Sequence, residues 1–237
     1  ISDISSELVL QEITSWEKLI RVLTHEIMNG VAPVTSLSRT LLDRMENSGT
    51  LRPDTLRQGL HTIHSTSEQL LRFVENYRSL TLLPTPAPQP FYVKPFLERM
   101  LMLARATDGA EGLLMECSVS PADLMLYADE ALLTHVFTNL LKNAVEALQT
   151  SAAQERYIRV EASIDEAETV RIRVCNNGPA IPADVAEQMF VPFFTTKNGG
   201  SGIGLSLSAR IMQASGARME LEESSDRETV FLLTFDA

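Results

Sequence analysis

His25 and Glu26 stand side by side in the stretch Leu23-Thr24-His25-Glu26-Ile27-Met28-Asn29. At about 100° per residue on a helix, His25 points away from the apolar Leu23 and Ile27 and into solvent. A solvent-facing imidazole near its ordinary pKa presents a neutral, nucleophilic nitrogen at neutral pH. The carboxylate beside it can take up the proton of the other ring nitrogen. Asn29, one turn on, shares the face of His25. Such a pair is by itself ordinary helix surface, but Pro33 adds weight to a chemical role. A proline inside a helix has no N–H to donate toward the carbonyl of Asn29 and kinks the axis, so it needs a reason.

Three further clusters carry polar chemistry. Asn139-Leu140-Leu141-Lys142-Asn143-Ala144-Val145-Glu146-Ala147 sets Asn139 and Asn143 four residues apart on one helical face, with Lys142 close by. Amide oxygens and an ammonium suit a Mg²⁺-triphosphate, because magnesium takes oxygen ligands and keeps several waters. A polar helix edge is the plainer alternative. Asn176-Asn177-Gly178-Pro179-Ala180-Ile181-Pro182 lies at the end of a strand pattern, and a simple turn would account for it. The last cluster runs Phe190-Val191-Pro192-Phe193-Phe194-Thr195-Thr196-Lys197-Asn198-Gly199-Gly200-Ser201-Gly202-Ile203-Gly204-Leu205. Its glycines let backbone N–H groups approach an anion at a helix amino terminus. It lacks the Gly-Lys-Ser/Thr ending of a P-loop and does not follow a strand as a dinucleotide fingerprint would. His61, His64 and His135 match no motif; His61 and His64 could pair on a metal, but two helix-surface histidines are the simpler reading.

These side chains need elements to hold them. Residues 1–83 have an apolar stripe at helical period, through Trp16, Ile20, Leu23, Ile27, Val34, Leu37 and Leu41 and again from Leu56 to Tyr77. Asn47-Ser48-Gly49 interrupts it and Pro53-Asp54 can open a second helix, which predicts an antiparallel hairpin. A hairpin alone cannot enclose its stripe, so a homodimer closing into a four-helix bundle is expected. Pro84, Pro86, Pro88 and Pro90 predict an extended linker over 84–90. Over 91–237, helical and alternating patterns mix: helices near 94–106, 129–148 and 203–214, and strands near 113–119, 124–127, 157–164, 169–175, 218–222 and 229–235. That order predicts an α/β two-layer sandwich, so the chain as a whole is multi-domain, α followed by α+β.

Composition narrows the partners. With 20 Lys and Arg against 31 Asp and Glu, the 237-residue chain has a formal charge of −11, a poor grip for a nucleic-acid backbone. A few phosphates of ATP remain within reach of a local nest of N–H groups and a metal. Cys117 and Cys175 form no CxxC, and a reducing compartment is the simpler reading. No apolar run approaches the ~18 residues of a spanning helix, and the start at Ile1 suggests a piece cut from something longer.

Taken together, in this order, the clusters resemble the boxes of the sensor histidine kinases of two-component signalling, over essentially the whole chain. His25-Glu26-Ile27-Met28-Asn29 with Pro33 looks like the H box, Asn139 to Asn143 the N box, and Asn176 to Ile181 the G1 box. Phe193-Phe194 resembles the F box and Gly200-Ser201-Gly202-Ile203-Gly204-Leu205 the G2 box. Thr195-Thr196-Lys197 after the paired Phe is similar to the nitrogen-regulation subgroup. The resemblance implies a dimerisation and phosphotransfer hairpin over 1–83 and a Bergerat-fold ATP domain over 91–237, the fold shared with gyrase and MutL. It implies that His25 accepts phosphate from ATP with Glu26 as base, and passes it to an Asp of a response-regulator receiver domain. Asn29 would orient water for regulator dephosphorylation. Asn143 would hold Mg²⁺ with Asn139 beside it, and Lys142 and Lys197 would meet phosphate charge. Gly178, Ala180, Ile181, Phe193, Thr196, Gly200, Gly202, Ile203, Gly204 and Leu205 would line the ATP site, with the segment between G1 and G2 a mobile lid. This would be the cytoplasmic portion of a protein anchored in the bacterial inner membrane through segments outside this sequence.

Two residues depart from the family pattern: Asn176 stands where most members have the Asp that accepts the adenine amine, and Ala180 replaces a glycine. A neutral acceptor for a charged one weakens that bond by about 1 kcal/mol. Ala180 adds a penalty only if its backbone needs positive φ. The alternatives are a degenerate kinase acting mainly as a regulator phosphatase, or a nucleotide-sensing interaction module. Pro33→Ala should stabilise the hairpin and change the ratio of kinase to phosphatase rates; equal rates before and after the substitution would make the proline incidental.

Overall fold

Apolar residues at helical spacing form two helices in the amino-terminal stretch. In the computed structural model, which describes residues 24, 27–47, 52–151, 153–197 and 200–236, α1 covers residues 27–47 and α2 covers Pro53–Thr81. Pro33 lies inside α1. Pro53 opens α2, where the missing N–H is harmless, and Asp54 adds a favourable charge in the first turn. Two glycines bring the helices close. A Cβ on Gly30 would lie 3.3 Å from Leu70, and one on Gly59 would lie 2.9 Å from Leu41, a buried side chain. Residue 30 meets 70 while 41 meets 59, so the helices run antiparallel, as a hairpin. His25, Glu26 and the early stripe of Trp16, Ile20 and Leu23 lie outside the described residues.

The chain divides into two compact units, Ile1–Leu82 and Leu83–Ala237. The second is built on a five-stranded sheet of order β2-β4-β5-β7-β6: β2 Leu114–Ser120, β4 Tyr157–Ile164, β5 Val170–Asn176, β7 Thr229–Phe235 and β6 Ala217–Ser224. Only the β2–β4 pair is parallel. The helices α3 Val93–Arg105, α4 Glu130–Gln149 and α6 Gly204–Ala214 cover one face. Ile158, Val160 and Ala162 on β4 and Val170, Ile172 and Val174 on β5 are buried, each alternating with more exposed residues, as a half-covered sheet requires. Opposite them, Leu133, Val136, Phe137, Leu140, Leu141 and Val145 form the buried stripe of α4. Phe137 meets Phe96 of α3 edge to face, with ring centroids 5.3 Å apart. The two-layer α/β sandwich expected from the alternating patterns is therefore present.

Part of the stretch expected as a linker is bound to this unit. Gln89–Tyr92 form β1, which pairs antiparallel with β3, Met125–Ala128, in a separate two-stranded sheet. Pro90 is tolerated because a two-stranded sheet has free edges on both sides. Just before β1, the Ala87 N–H donates to Asp129 Oδ2 at 2.9 Å. Asp129 Oδ1 meanwhile accepts from the Leu132 N–H at 3.0 Å and caps α4.

The outward face of the sheet carries ion pairs: Arg159 with Glu161, Arg171 with Asp165, and Arg173 with Glu222 in a two-pronged contact of 2.6 and 2.8 Å. No helix among the described residues is long and apolar enough to cross a membrane.

The Ala87 and Leu132 N–H groups hold the Asp129 carboxyl below the usual carboxylate range. A group with a depressed folded pKa contributes its stability in full above its unfolded value and loses it as pH falls through the folded one. Asp129→Ala should therefore lower the urea-unfolding free energy by about 1–2 kcal/mol at neutral pH, and the gap to wild type should close in acid. An equal gap at both pH values would remove the charge from this explanation.

Candidate functional site

One edge of α4 is polar while the rest is core. Asn139, Asn143, Glu146 and Ala147 are half-buried and recur at spacings of four, three and one, beside the buried stripe. This edge meets three chain segments in turn: the start of α6, the loop that precedes it, and the end of β5.

At the start of α6 the approach is closest. A Cβ on Gly204 would lie 2.1 Å from Asn139 Oδ1, a distance no side chain could occupy. Asn139 Nδ2 donates to Ser208 Oγ, one turn further along α6, at 3.1 Å. The amide expected beside a metal therefore works as a clamp between α4 and α6. Ile203 gives α6 no side-chain cap, so its first backbone N–H groups keep their capacity for an anion. Ile203 itself is buried, Leu205 half-buried, and the Ser206 hydroxyl donates back to the Ile203 carbonyl at 2.8 Å.

The loop between the short helix α5, Ala183–Ala186, and α6 reaches α4 through Lys197. Its Nζ donates to Asn143 Oδ1 at 3.0 Å and also to Glu146 Oε2. Lys142 Nζ lies 3.9 Å from the same carboxylate. Upstream, Phe193 has φ +66°, unusual for a residue with a side chain, and its backbone runs against Gly202. A Cβ on Gly202, itself at φ +65°, would come within 2.4 Å of the Phe193 carbonyl carbon. Glycine is required there on both counts. Thr196 and Gly200 are exposed, and a Cβ on Gly200 would lie 2.6 Å from Thr195 Oγ1.

At the end of β5, Asn176 is 4% exposed, and its Oδ1 accepts from the Gly178 N–H at 3.0 Å. Gly178 packs on Ala147 of α4, where a Cβ would lie 3.0 Å from the Ala147 Cβ. Ala180 is exposed and is not among the residues with positive φ, so its side chain strains nothing. The Ile181 N–H donates to Ser224 Oγ at 2.8 Å, and Ser224 shares a hydrogen bond with Thr229, which lies opposite Asn176 on β7. Burial pushes the neighbouring Cys175 thiol up to about 11, so it stays protonated and inert.

The structure thus gathers the N-box, G1 and G2 residues on α4 and leaves Asn29, exposed on α1, in the other unit. Sequence reasoning had not singled out Ser208, Glu146 or Thr229. The first has a signal, since Gly204 and Ser208 put small residues one turn apart on one face of α6. His64 sits on the α2 surface with Glu68 3.7 Å away, and no group of three His, Cys, Asp or Glu among the described residues could hold a metal.

The match to known proteins is twofold. A family model described as histidine kinase-, DNA gyrase B- and HSP90-like ATPase covers residues 128–237. The chain is 25% identical over 229 residues to nitrogen regulation protein NtrY of Azorhizobium caulinodans, which covers 95% of the chain and 29% of that protein. It is 29% identical over 210 residues to the C4-dicarboxylate transport sensor protein DctB of Rhizobium meliloti, covering 87% of the chain and 32% of that protein. The chain therefore spans about a third of the length of these relatives. Among solved structures, the nucleotide-free catalytic domain of histidine kinase ThkA aligns at 26% identity and a TM-score of 0.56, over 63% of this chain and 95% of that one. ThkA in complex with response regulator protein TrrA aligns over 95% of this chain and 63% of that one, with a TM-score of 0.65; at 22% identity it bears on the fold alone.

Lys197 ties the loop to α4 through Asn143 and Glu146. Lys197→Met should raise hydrogen exchange across residues 190–197 several-fold in the nucleotide-free protein and leave the centre of α4 unchanged; equal exchange in both proteins would mean the contact restrains nothing.

Proposed function

We propose that this chain is a sensor histidine kinase carrying out a two-step phosphoryl transfer, from ATP to His25 and from His25 to an Asp of a response-regulator receiver domain. The observation that carries the nucleotide half is Asn143, whose Oδ1 already accepts a cationic group, the Lys197 ammonium, one turn along α4 from the Asn139 that holds the uncapped, glycine-started α6. Gly202 and Gly204 are glycines because the Phe193 backbone and the Asn139 amide take the places of their side chains, which brings the loop and α6 up against α4. A neutral amide oxygen is a suitable ligand for Mg²⁺, the remaining ligands coming from phosphate oxygens and water. Mg²⁺, when bound, would neutralise charge on the β- and γ-phosphates. Lys197 would release Asn143 and turn to the phosphates. Asn139 would act through its hold on α6 rather than by touching the nucleotide.

In the first step a ring nitrogen of His25 attacks the γ-phosphorus, the bond to the β–γ bridging oxygen breaks, and ADP leaves with the electron pair. Glu26 takes the imidazole proton. In the second step an Asp carboxylate oxygen of the receiver attacks the same phosphorus and the P–N bond breaks. Asn29, on the face of His25, would orient water for the reverse removal of phosphate from the regulator. A homodimer is part of this proposal. Leu42, Met45, Leu60, Leu71 and Val74 of the hairpin are 47–63% exposed, an apolar surface that a second copy would cover. The sensor region and a membrane anchor would lie in the remainder of a longer protein.

Incubation with γ-labelled ATP tests the proposal. Label that is acid-labile, base-stable and absent from His25→Ala is expected, together with its passage to a receiver Asp. No label overturns the kinase; regulator dephosphorylation without label would make the protein a phosphatase.

A further inference from the structure

Two oxygens one turn apart on α4 converge on a single cation. Lys197 Nζ donates to Asn143 Oδ1 at 3.0 Å and also to Glu146 Oε2, so one atom lies within hydrogen-bond reach of both. Residues 143 and 146 are three apart and share the polar edge of the helix. The other carboxylate oxygen, Glu146 Oε1, faces Lys142, whose Nζ is 3.9 Å away. Oε2 is therefore the oxygen that depends on Lys197, and it shares that cation with the amide proposed above as the Mg²⁺ ligand.

This inference rests on the nucleotide reading above, in which Lys197 leaves Asn143 for the phosphates. Glu146 Oε2 then loses its cation just as a polyanion arrives, while Lys142 stays on the far oxygen. A carboxylate in that state repels each phosphate brought to Asn143, and at a half-buried position the repulsion is stronger than it would be in open water. A cation between the carboxylate and the phosphates removes the conflict. A lysine brings a single charge, which Glu146 cancels. A divalent ion brings two, so that one remains for the phosphates. Asn143 supplies an oxygen and no charge, whereas Mg²⁺ at phosphate-transfer sites commonly takes a carboxylate along with substrate phosphates and water. We infer that Glu146 selects the metal-loaded nucleotide. With Asn143 it forms a two-oxygen seat, filled by Lys197 in the nucleotide-free protein, that admits a polyphosphate only together with a divalent cation.

The test is a ratio of two dissociation constants, measured by calorimetry on the whole chain with the β,γ-imido analogue of ATP, which leaves His25 unphosphorylated. One constant is taken in excess EDTA and the other in excess Mg²⁺. The wild type should bind the metal-loaded analogue at least about tenfold tighter, the scale on which a partner beside a metal ligand acts. Glu146→Gln keeps the shape and removes the charge, and should lower that ratio about tenfold. Lys197→Met leaves Glu146 without its cation and should raise the ratio. Both substitutions break the same ion pair, so a contact that merely held the loop would move the ratio the same way in both or not at all. A ratio that fails to fall in Glu146→Gln, or that moves the same way in both variants, overturns the inference and leaves the nucleotide reading intact. A wild-type ratio near one overturns it too, and decides even if neither variant folds. Binding of neither form by the wild type overturns the nucleotide reading and the inference with it.

Discussion

The first turn of α6 lies so close to α4 that residue 204 has no room for a side chain. Asn139 Oδ1 occupies the space where a Cβ would be, and Nδ2 of the same amide reaches Ser208 a turn later. Much else follows from that contact. It holds the uncapped start of α6 on the polar edge of α4, one turn from Asn143. Just before it, Phe193 has a left-handed backbone conformation against Gly202. A side chain at 204 would displace the Asn139 amide and break its bond to Ser208, loosening α6 on α4.

The second organising feature is the double duty of α4. Its buried face, anchored on α3 by Phe137 against Phe96, fixes the helix on the sheet. Its edge then presents amides at two successive turns to two different segments. Asn139 faces α6, and Asn143 faces the loop through Lys197. Asp129 begins the helix and ties it back to Ala87, so the start of the edge is registered against the chain that enters the unit. A helix held at its start and along its core face gives its polar edge little freedom, which is what a site assembled from four separated stretches of sequence needs.

Periodicity made most of this architecture legible in advance. The strand at Tyr157–Ile164 begins and ends where its alternation does, Thr229–Phe235 is a buried apolar run found at its expected bounds, and the helix expected near 129–148 differs only in that Asp129 is its cap. β1 was not legible. Its prolines argue against a strand, and its partner β3 lies more than thirty residues away, so no local pattern could announce the pairing. The site was legible as motifs and not as contacts. Asn139 and Asn143 look alike in the sequence, and only the position of α6 separates a clamp from a cation-facing amide. The use of the Asn176 oxygen by Gly178 had a local signal, because Asn followed two residues later by a backbone donor is a common turn. His25 and Glu26 rest on the sequence alone, lying outside the described residues.

The pairing of charges on the sheet has a kinetic consequence. Arg159, Arg171, Arg173 and Arg218 are each engaged with carboxylates, and Lys197 with Glu146, in a chain that has only 20 basic residues for 31 acidic ones. With those pairs neutralised and a formal net charge of −11, the field beyond contact range is negative on balance. An approaching polyphosphate therefore meets net repulsion once it comes within about a Debye length, ~10 Å at 0.1 M salt. Its capture rate should then rise with ionic strength, the reverse of what a basic nucleotide site shows.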